Sequence, residues 1–166
     1  LGEADIIIVN TCGFIGDAKK ESIETILEVS DLKINGNLKK IIVTGCLAQR
    51  YAGEILKELP EVDAVIGTGE IDKIEKVIEE VLADKRVVES TKMDFLADSE
   101  TDRVLTTASH TAYLKIAEGC DRKCTYCIIP QLRGNLRSRT IEDILKEANK
   151  LVASGVRELN LLAQET

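Results

Sequence analysis

The sequence predicts an α/β protein in two parts: a doubly wound parallel sheet, then the start of a partial TIM-like (β/α) barrel. Three observations carry this. Short β-branched runs alternate with stretches of helical periodicity along residues 1–91. The periodicity fails over residues 92–111, where Asp, Ser, Thr and Glu dominate, and then resumes as strand, loop, helix and strand. Aromatic residues make up only 3% of a chain that is 44% hydrophobic and lacks Trp, so the core is built from aliphatic side chains.

Asp5-Ile6-Ile7-Ile8-Val9-Asn10 is a short continuous apolar run, as expected of a strand covered on both faces. A helix follows from about Asp17 to Leu32, with Ile23, Ile26 and Leu27 on one face, and Asn35-Gly36-Asn37 turns the chain. Lys40–Thr44 is the next strand, a helix spans about Gln49–Leu59 and stops before Pro60, and Ala64-Val65-Ile66 is the third strand. Gly67-Thr68-Gly69 lacks the full glycine fingerprint of a phosphate loop and reads as an ordinary turn into a helix. That helix carries Ile71, Ile74, Val77, Ile78, Val81 and Leu82 on its apolar side and a solvated Glu/Lys face on the other. Val87-Val88 is an edge strand. Beyond the linker, Ala112–Ile116 is a strand and a Cys-rich loop follows it. Thr140 caps a helix bearing Ile141, Ile144, Leu145, Ala148, Leu151 and Val152, Gly155 closes it, and Glu158–Leu162 is the next strand. The expected domains are therefore 1–91, a linker over 92–111, and 112–166. The chain opens at Leu1 without Met and ends at Thr166 just after a strand, so a fragment lacking both ends is expected.

Charge and composition narrow the function classes. There are 22 Lys and Arg against 29 Asp and Glu, a net charge of -7, which disfavours a general nucleic-acid binder. The charge is uneven: residues 1–100 hold 12 basic and 21 acidic groups, residues 101–166 hold 10 and 8. Arg122, Lys123, Arg133, Arg137 and Arg139 fall in a stretch without an acid. No apolar run approaches the ~20 residues of a membrane span. No charged-then-apolar leader pattern opens the chain, so a cytoplasmic location is expected.

The chemistry lies in the cysteines. Five of them, Cys12, Cys46, Cys120, Cys124 and Cys127, are clustered in a way that favours metal ligation or thiol chemistry over disulfides. Cys120-Asp121-Arg122-Lys123-Cys124-Thr125-Tyr126-Cys127 places three thiols on one tight loop, which suits an iron–sulfur cube with one iron left open. The loop follows a barrel strand, at the strand end where such barrels place their chemistry. The competing reading is a structural zinc knuckle with His110 as fourth ligand, but His110 stands at no recognisable finger spacing. Cys12 and Cys46 each follow a predicted parallel strand, so both fall on one edge of the first sheet. On the residues alone these two are a metal site short of a ligand, a redox pair, or unrelated buried cysteines.

The Cys-x-x-x-Cys-x-aromatic-Cys loop resembles the signature of the radical S-adenosylmethionine (SAM) enzymes. In that superfamily the open iron binds SAM, and reduction cleaves it to methionine and a 5′-deoxyadenosyl radical. The resemblance implies that Tyr126 lies near the adenine, that Arg139 with Arg133 and Arg137 is a candidate for the SAM carboxylate or for contact with a ribosomal partner, and that Glu165 in Ala163-Gln164-Glu165-Thr166 is a candidate for the SAM amino group. The plain alternatives are a packing residue for Tyr126, a solvated basic loop for the arginines and a solvated strand end for Glu165.

Asn10-Thr11-Cys12-Gly13 and Gly45-Cys46-Leu47, after successive strands and ahead of such a loop, are similar to the methylthiotransferases of that superfamily. Asn10–Ile15, Gly45–Tyr51, Ala117–Pro130, Arg133-Gly134 and Ser138-Arg139 resemble the RimO type, the branch that modifies the β-carbon of one aspartate in protein twelve of the small ribosomal subunit. The resemblance implies a transferase with two [4Fe–4S] clusters and SAM. One cluster would sit on Cys120, Cys124 and Cys127, the other on Cys12, Cys46 and a third cysteine upstream of Leu1. It also implies a ribosomal protein or the ribosome as substrate, and flavodoxin or ferredoxin as electron donor. The tRNA-modifying branch and a non-enzymatic metal-binding module are the alternatives.

Overall fold

The computed structural model describes residues 3–101 and 103–165, and Thr166 lies outside them. The chain divides into two compact units, Leu1–Phe95 and Leu96–Thr166. In the first, four parallel strands lie in the order β1 (Ile6–Thr11), β2 (Lys40–Gly45), β3 (Ala64–Ile66) and β4 (Val87–Glu89). They are joined by α1 (Gly16–Asn35), α2 (Cys46–Glu58), and a single 3-10 turn (Ile71–Lys73) that leads into α3 (Ile74–Leu82).

Strand alternation sorts the core into two layers. Ile7, Val9, Ile41, Val43 and Val65 pack with Ile26 and Val29 of α1 and with Leu47, Ala48, Ala52 and Ile55 of α2. The intervening Ile42, Ala64 and Ile66 pack with Val77 and Val81 of α3. Helices therefore cover both faces, which is the doubly wound sheet expected. Each fully buried Ile or Val contributes about 1.5–3 kcal/mol.

The buried face of α1 is Ser22, Ile26, Val29 and Ser30, whereas Ile23 and Leu27 are exposed. Ile23 lines an open cleft of about 770 Å³ with Lys19, Leu47, Tyr51 and Ile55. Two polar side chains brace the end of this unit. Gln49 accepts from Thr68 N (2.9 Å) and donates to Ser90 O (2.7 Å), and the buried Glu70 carboxylate accepts from Thr91 N (2.8 Å) and pairs with Lys73 (2.7 Å).

The second unit pairs β5 (Thr111–Lys115) with the strand Glu158–Leu162 in parallel. Between them lie β6 (Ala117–Glu118), α4 (Ile129–Arg133), β7 (Arg137–Ser138) and α5 (Ile141–Ala153), so Glu158–Leu162 is β8. The β6–β7 pair is antiparallel. As expected, Thr140 caps α5, its hydroxyl accepting from Asp143 N. One buried cluster of this unit is Ala112, Leu151 and Val156, with Leu159 against them, and Leu114 and Leu132 are also fully buried. Ile141, Leu145 and Val152 of α5 are exposed.

Part of the stretch expected as linker is held by these elements. Met93 bridges Gly69 in the first unit. In the second, Ser99 N donates to Asp143 Oδ1 (2.9 Å), Lys150 Nζ donates to Ser99 O (2.6 Å), and Arg103 pairs with Glu147 (3.0 Å). Among the described residues no helix is long and apolar enough to cross a membrane.

Candidate functional site

Cys12 and Cys46 stand at the ends of neighbouring strands. The β1–β2 ladder runs in register to its last pair, Thr11 with Gly45, and the two cysteines are the next residues on each strand. Thr11 Oγ1 donates to Thr44 O (2.5 Å), tying the strand ends together. Gly45 has φ +97° and turns β2 directly into α2, so Cys46 is the first residue of that helix. A Cβ on Gly13 would lie 2.8 Å from the carbonyl carbon and oxygen of Cys46. The Cys12-Gly13 loop is thus seated against the Cys46 backbone. Cys12 is exposed and Cys46 buried, and neither forms a disulfide. The strand-end placement expected from sequence is what the fold shows. The glycine seat that joins the two loops was not legible, because it depends on backbone contact across the sheet edge.

The three-cysteine loop leaves β6 through Gly119, whose φ of +80° disfavours a side chain and where a Cβ would lie 2.6 Å from Gly134 O. Cys120 N donates to Gly134 O (3.1 Å), Gly119 N to Gln164 Oε1 (3.0 Å), and Leu136 N to Asp121 Oδ1 (2.9 Å). Cys127 N donates to Cys124 O (3.1 Å), closing a turn. Cys120 is buried, Cys127 half-buried and Cys124 exposed. Cys120 Sγ accepts the Arg122 N–H at 3.4 Å. That bond pulls its thiol down, but burial and the Glu165 carboxylate outweigh it and the net direction is up.

Glu165 belongs to this loop. It accepts from Asp121 N (3.0 Å) and pairs with Arg122 (2.5 Å). The Asp121 N–H first, and then Cys120 and Arg122, hold its carboxyl below the ordinary range. Tyr126 is 91% exposed. The sequence offered solvent or a cofactor for the basic residues, and the structure shows internal pairing. Arg139 is buried on Asp143 (2.6 Å) and Glu147 (2.5 Å) of α5, and donates to Lys115 O (2.8 Å). Its Nη2 is buried with no hydrogen-bond partner among the described residues. Arg133 lies 3.4 Å from the buried Glu118, and Arg137 donates to Arg133 O and Asn135 O. The spacing Arg139, Asp143, Glu147, a helical i, i+4, i+8 row, was the available signal for this pairing.

Asp143 gives a pH-dependent prediction. Its bonds to Ser99, and then to Arg139, hold its pKa at about 2, below the ordinary 3.8. A carboxyl depressed on folding stabilises above its unfolded pKa and loses that contribution as pH falls through its folded one. The thermal midpoint of the second unit is therefore expected to drop between about pH 4 and pH 2. Asp143→Asn should be less stable at neutral pH and flat across that window, as read by circular dichroism.

The donor sets fit thiolate-bound clusters by chemistry. One loop carries three thiols, one of them already accepting a backbone N–H. One sheet edge carries two more, Cys12 and Cys46, next to the last pair of the β1–β2 ladder. Among the described residues no three His, Cys, Asp or Glu side chains stand within reach of one metal ion. His110 is exposed at the start of β5, its carbonyl accepting from Arg157 N (2.8 Å) and Glu158 N (2.9 Å).

Comparison with known proteins agrees with these two halves. Residues 1–67 match the uncharacterized protein family UPF0004, and residues 114–166 match the radical SAM superfamily. Over 164 residues, 99% of this chain, it is 54% identical to the ribosomal protein uS12 methylthiotransferase RimO of Clostridioides difficile. It is 57% identical to the protein of that name from Thermoanaerobacter sp. and 56% to that from Lachnoclostridium phytofermentans, each over the same share. The chain spans about 37% of the length of these curated relatives.

Proposed function

We propose that this chain, which resembles the RimO-type methylthiotransferases of the radical SAM superfamily along almost its whole length, is part of an enzyme that methylthiolates ribosomal protein uS12. The observation that supports this best is the pairing of a three-thiol loop with two cysteines on one sheet edge. The first set of ligands is Cys120, Cys124 and Cys127, and the second includes Cys12 and Cys46. The full protein would carry two [4Fe–4S] clusters and bind SAM, with an aspartate β-carbon of uS12 as the acceptor. When bound, the clusters and SAM supply the radical and sulfur-transfer chemistry.

The chain's own residues orient these groups. Gly119 lets the thiol loop meet Gly134 closely, and Asp121 holds that loop to Leu136 N. Glu165, a carboxylate beside Cys120 that now pairs with Arg122, would receive the SAM ammonium. Arg139, locked by Asp143 and Glu147, keeps Nη2 as an unspent donor suited to the SAM carboxylate. Tyr126, exposed on the loop, offers a ring for the adenine. We place the enzyme in the cytoplasm with its ribosomal substrate, and a flavodoxin or ferredoxin as electron donor. The domain division 1–91, 92–111 and 112–166 belongs to the same reading.

The test is anaerobic reconstitution of the full-length protein with iron and sulfide, then incubation with SAM, reductant, and either uS12 or bulk tRNA. About eight irons per chain and a mass increase on uS12 alone are expected. Modification of tRNA instead would move the protein to the nucleic-acid branch. Colourless protein that takes up zinc would end the enzymatic reading.

A further inference from the structure

We propose that Ser22 is a positioning residue for Cys12, setting where this thiol stands relative to Cys46; the inference rests on the metal-binding role proposed above for these two cysteines. Cys12 lies one residue beyond the β1–β2 ladder and its side chain is exposed, so neither sheet pairing nor packing holds it. Its backbone is held by one hydroxyl. Cys12 N donates to Ser22 Oγ at 3.0 Å, and Ser22 Oγ faces Cys12 O at 3.2 Å and Ala18 O at 2.8 Å. The single hydroxyl proton serves one carbonyl at a time, while the oxygen accepts from Cys12 N throughout.

Within a helix, a serine bonded to the carbonyl four residues back gains nothing for the helix. Here Ser22 is buried on the inner face of α1, among positions otherwise suited to apolar residues. What it adds is the bond to a different element. On its other side the same loop runs close along the start of α2, where a Cβ on Gly13 would lie 2.8 Å from Cys46 C and O and 2.9 Å from Leu47 N. Ser22 and Gly13 together clamp the Cys12 loop between α1 and the first residue of α2. Without the hydroxyl, Cys12 N–H loses its partner and the loop is restrained from one side only.

The experiment uses the full-length protein carrying Cys120→Ala, Cys124→Ala and Cys127→Ala, so that bound iron reports the other cysteine set. After anaerobic reconstitution, three readouts are taken: iron per chain, the electron paramagnetic resonance spectrum of the reduced protein, and the rate of iron loss to a chelator. Ser22→Ala, which suits a helix interior, is expected to lose iron about tenfold faster or more, the range seen for groups that orient metal ligands, and to show a broadened or shifted spectrum. Ser22→Thr, which keeps the hydroxyl, is expected to restore both. A Ser22→Ala variant with the parent's spectrum and iron-loss rate overturns the inference, even if its thermal midpoint falls, because a purely structural role would move only the midpoint. A Ser22-containing parent that takes up no iron overturns the metal role of Cys12 and Cys46, and this inference with it. That failure appears before Ser22 is altered and so is told apart from the first.

Discussion

On the proposed function, replacing any one of Cys120, Cys124 or Cys127 by alanine in the full-length protein is expected to reduce reductive cleavage of SAM to background and to remove about four irons per chain. The size of the effect follows from ligand count. The loop carries three thiols, the number that a cube with one open iron takes from the protein. Each alanine therefore leaves two protein ligands where the cluster needs three. The loop's fold should survive, because its anchors are backbone bonds from Gly119, Cys120 and Leu136 to Gln164, Gly134 and Asp121. Among the described residues, Cys120 accepts a bond through sulfur, from Arg122 N. Unchanged circular dichroism with lost iron and lost cleavage is the expected pattern. Cleavage persisting in any of the three variants would overturn the assignment.

Gly45→Ala is expected to destabilise the first unit by roughly 3 kcal/mol or more and to displace Cys46. Two costs add. A φ of +97° is strained for any L side chain, by about 1–2 kcal/mol. The new Cβ would also meet Thr11 O and lie 2.6 Å from Asn10 Oδ1 and 2.8 Å from Thr11 N, a clash with backbone that repacking of side chains cannot relieve. Because Thr11 precedes Cys12 and Gly45 precedes Cys46, relief must come from parting the strand ends that carry both thiols. Urea unfolding should show the loss of stability, and iron uptake by the Cys12 set should fall with it. A variant as stable as the parent would mean that the strand ends give way easily.

Much of this architecture is legible in the sequence because aliphatic runs with no polar interruption have few other fates. Ile6–Val9, Ile41–Val43 and Ala64–Ile66 are strands where expected, and their parallel arrangement puts Cys12 and Cys46 on one edge. What was not legible is local. Helix α2 begins at Cys46 rather than near Gln49, because Gly45 makes the strand-to-helix turn within a single residue. The two-residue strands β6 and β7 and the five-residue α4 are too short to show a period, although Pro130 near the start of α4 is a helix-start signal. The apolar residues of α5 have the right spacing, and Leu151 packs on Ala112 and Val156, while Ile141, Leu145 and Val152 are exposed in this chain. Arg139 is legible as basic from the sequence; its burial on two carboxylates is a tertiary fact.

The strand pairings also set an order of events during folding. In the first unit each strand joins its sequence neighbour across one helix, as Ala64 joins Val87. In the second, Thr111 must find Glu158 across a crossover that contains the whole thiol loop, α4 and α5. Loop-closure entropy rises with the length enclosed, and contacts distant along the chain are made more slowly. Within that crossover the loop bearing Cys120, Cys124 and Cys127 is enclosed by a nearer pair, Glu118 with Arg137, whereas the edge bearing Cys12 and Cys46 needs the longer closure of Ile6 onto Lys40. By the same entropy argument, the sheet-edge pair of thiols depends on the longer closure and the loop thiols on the shorter one.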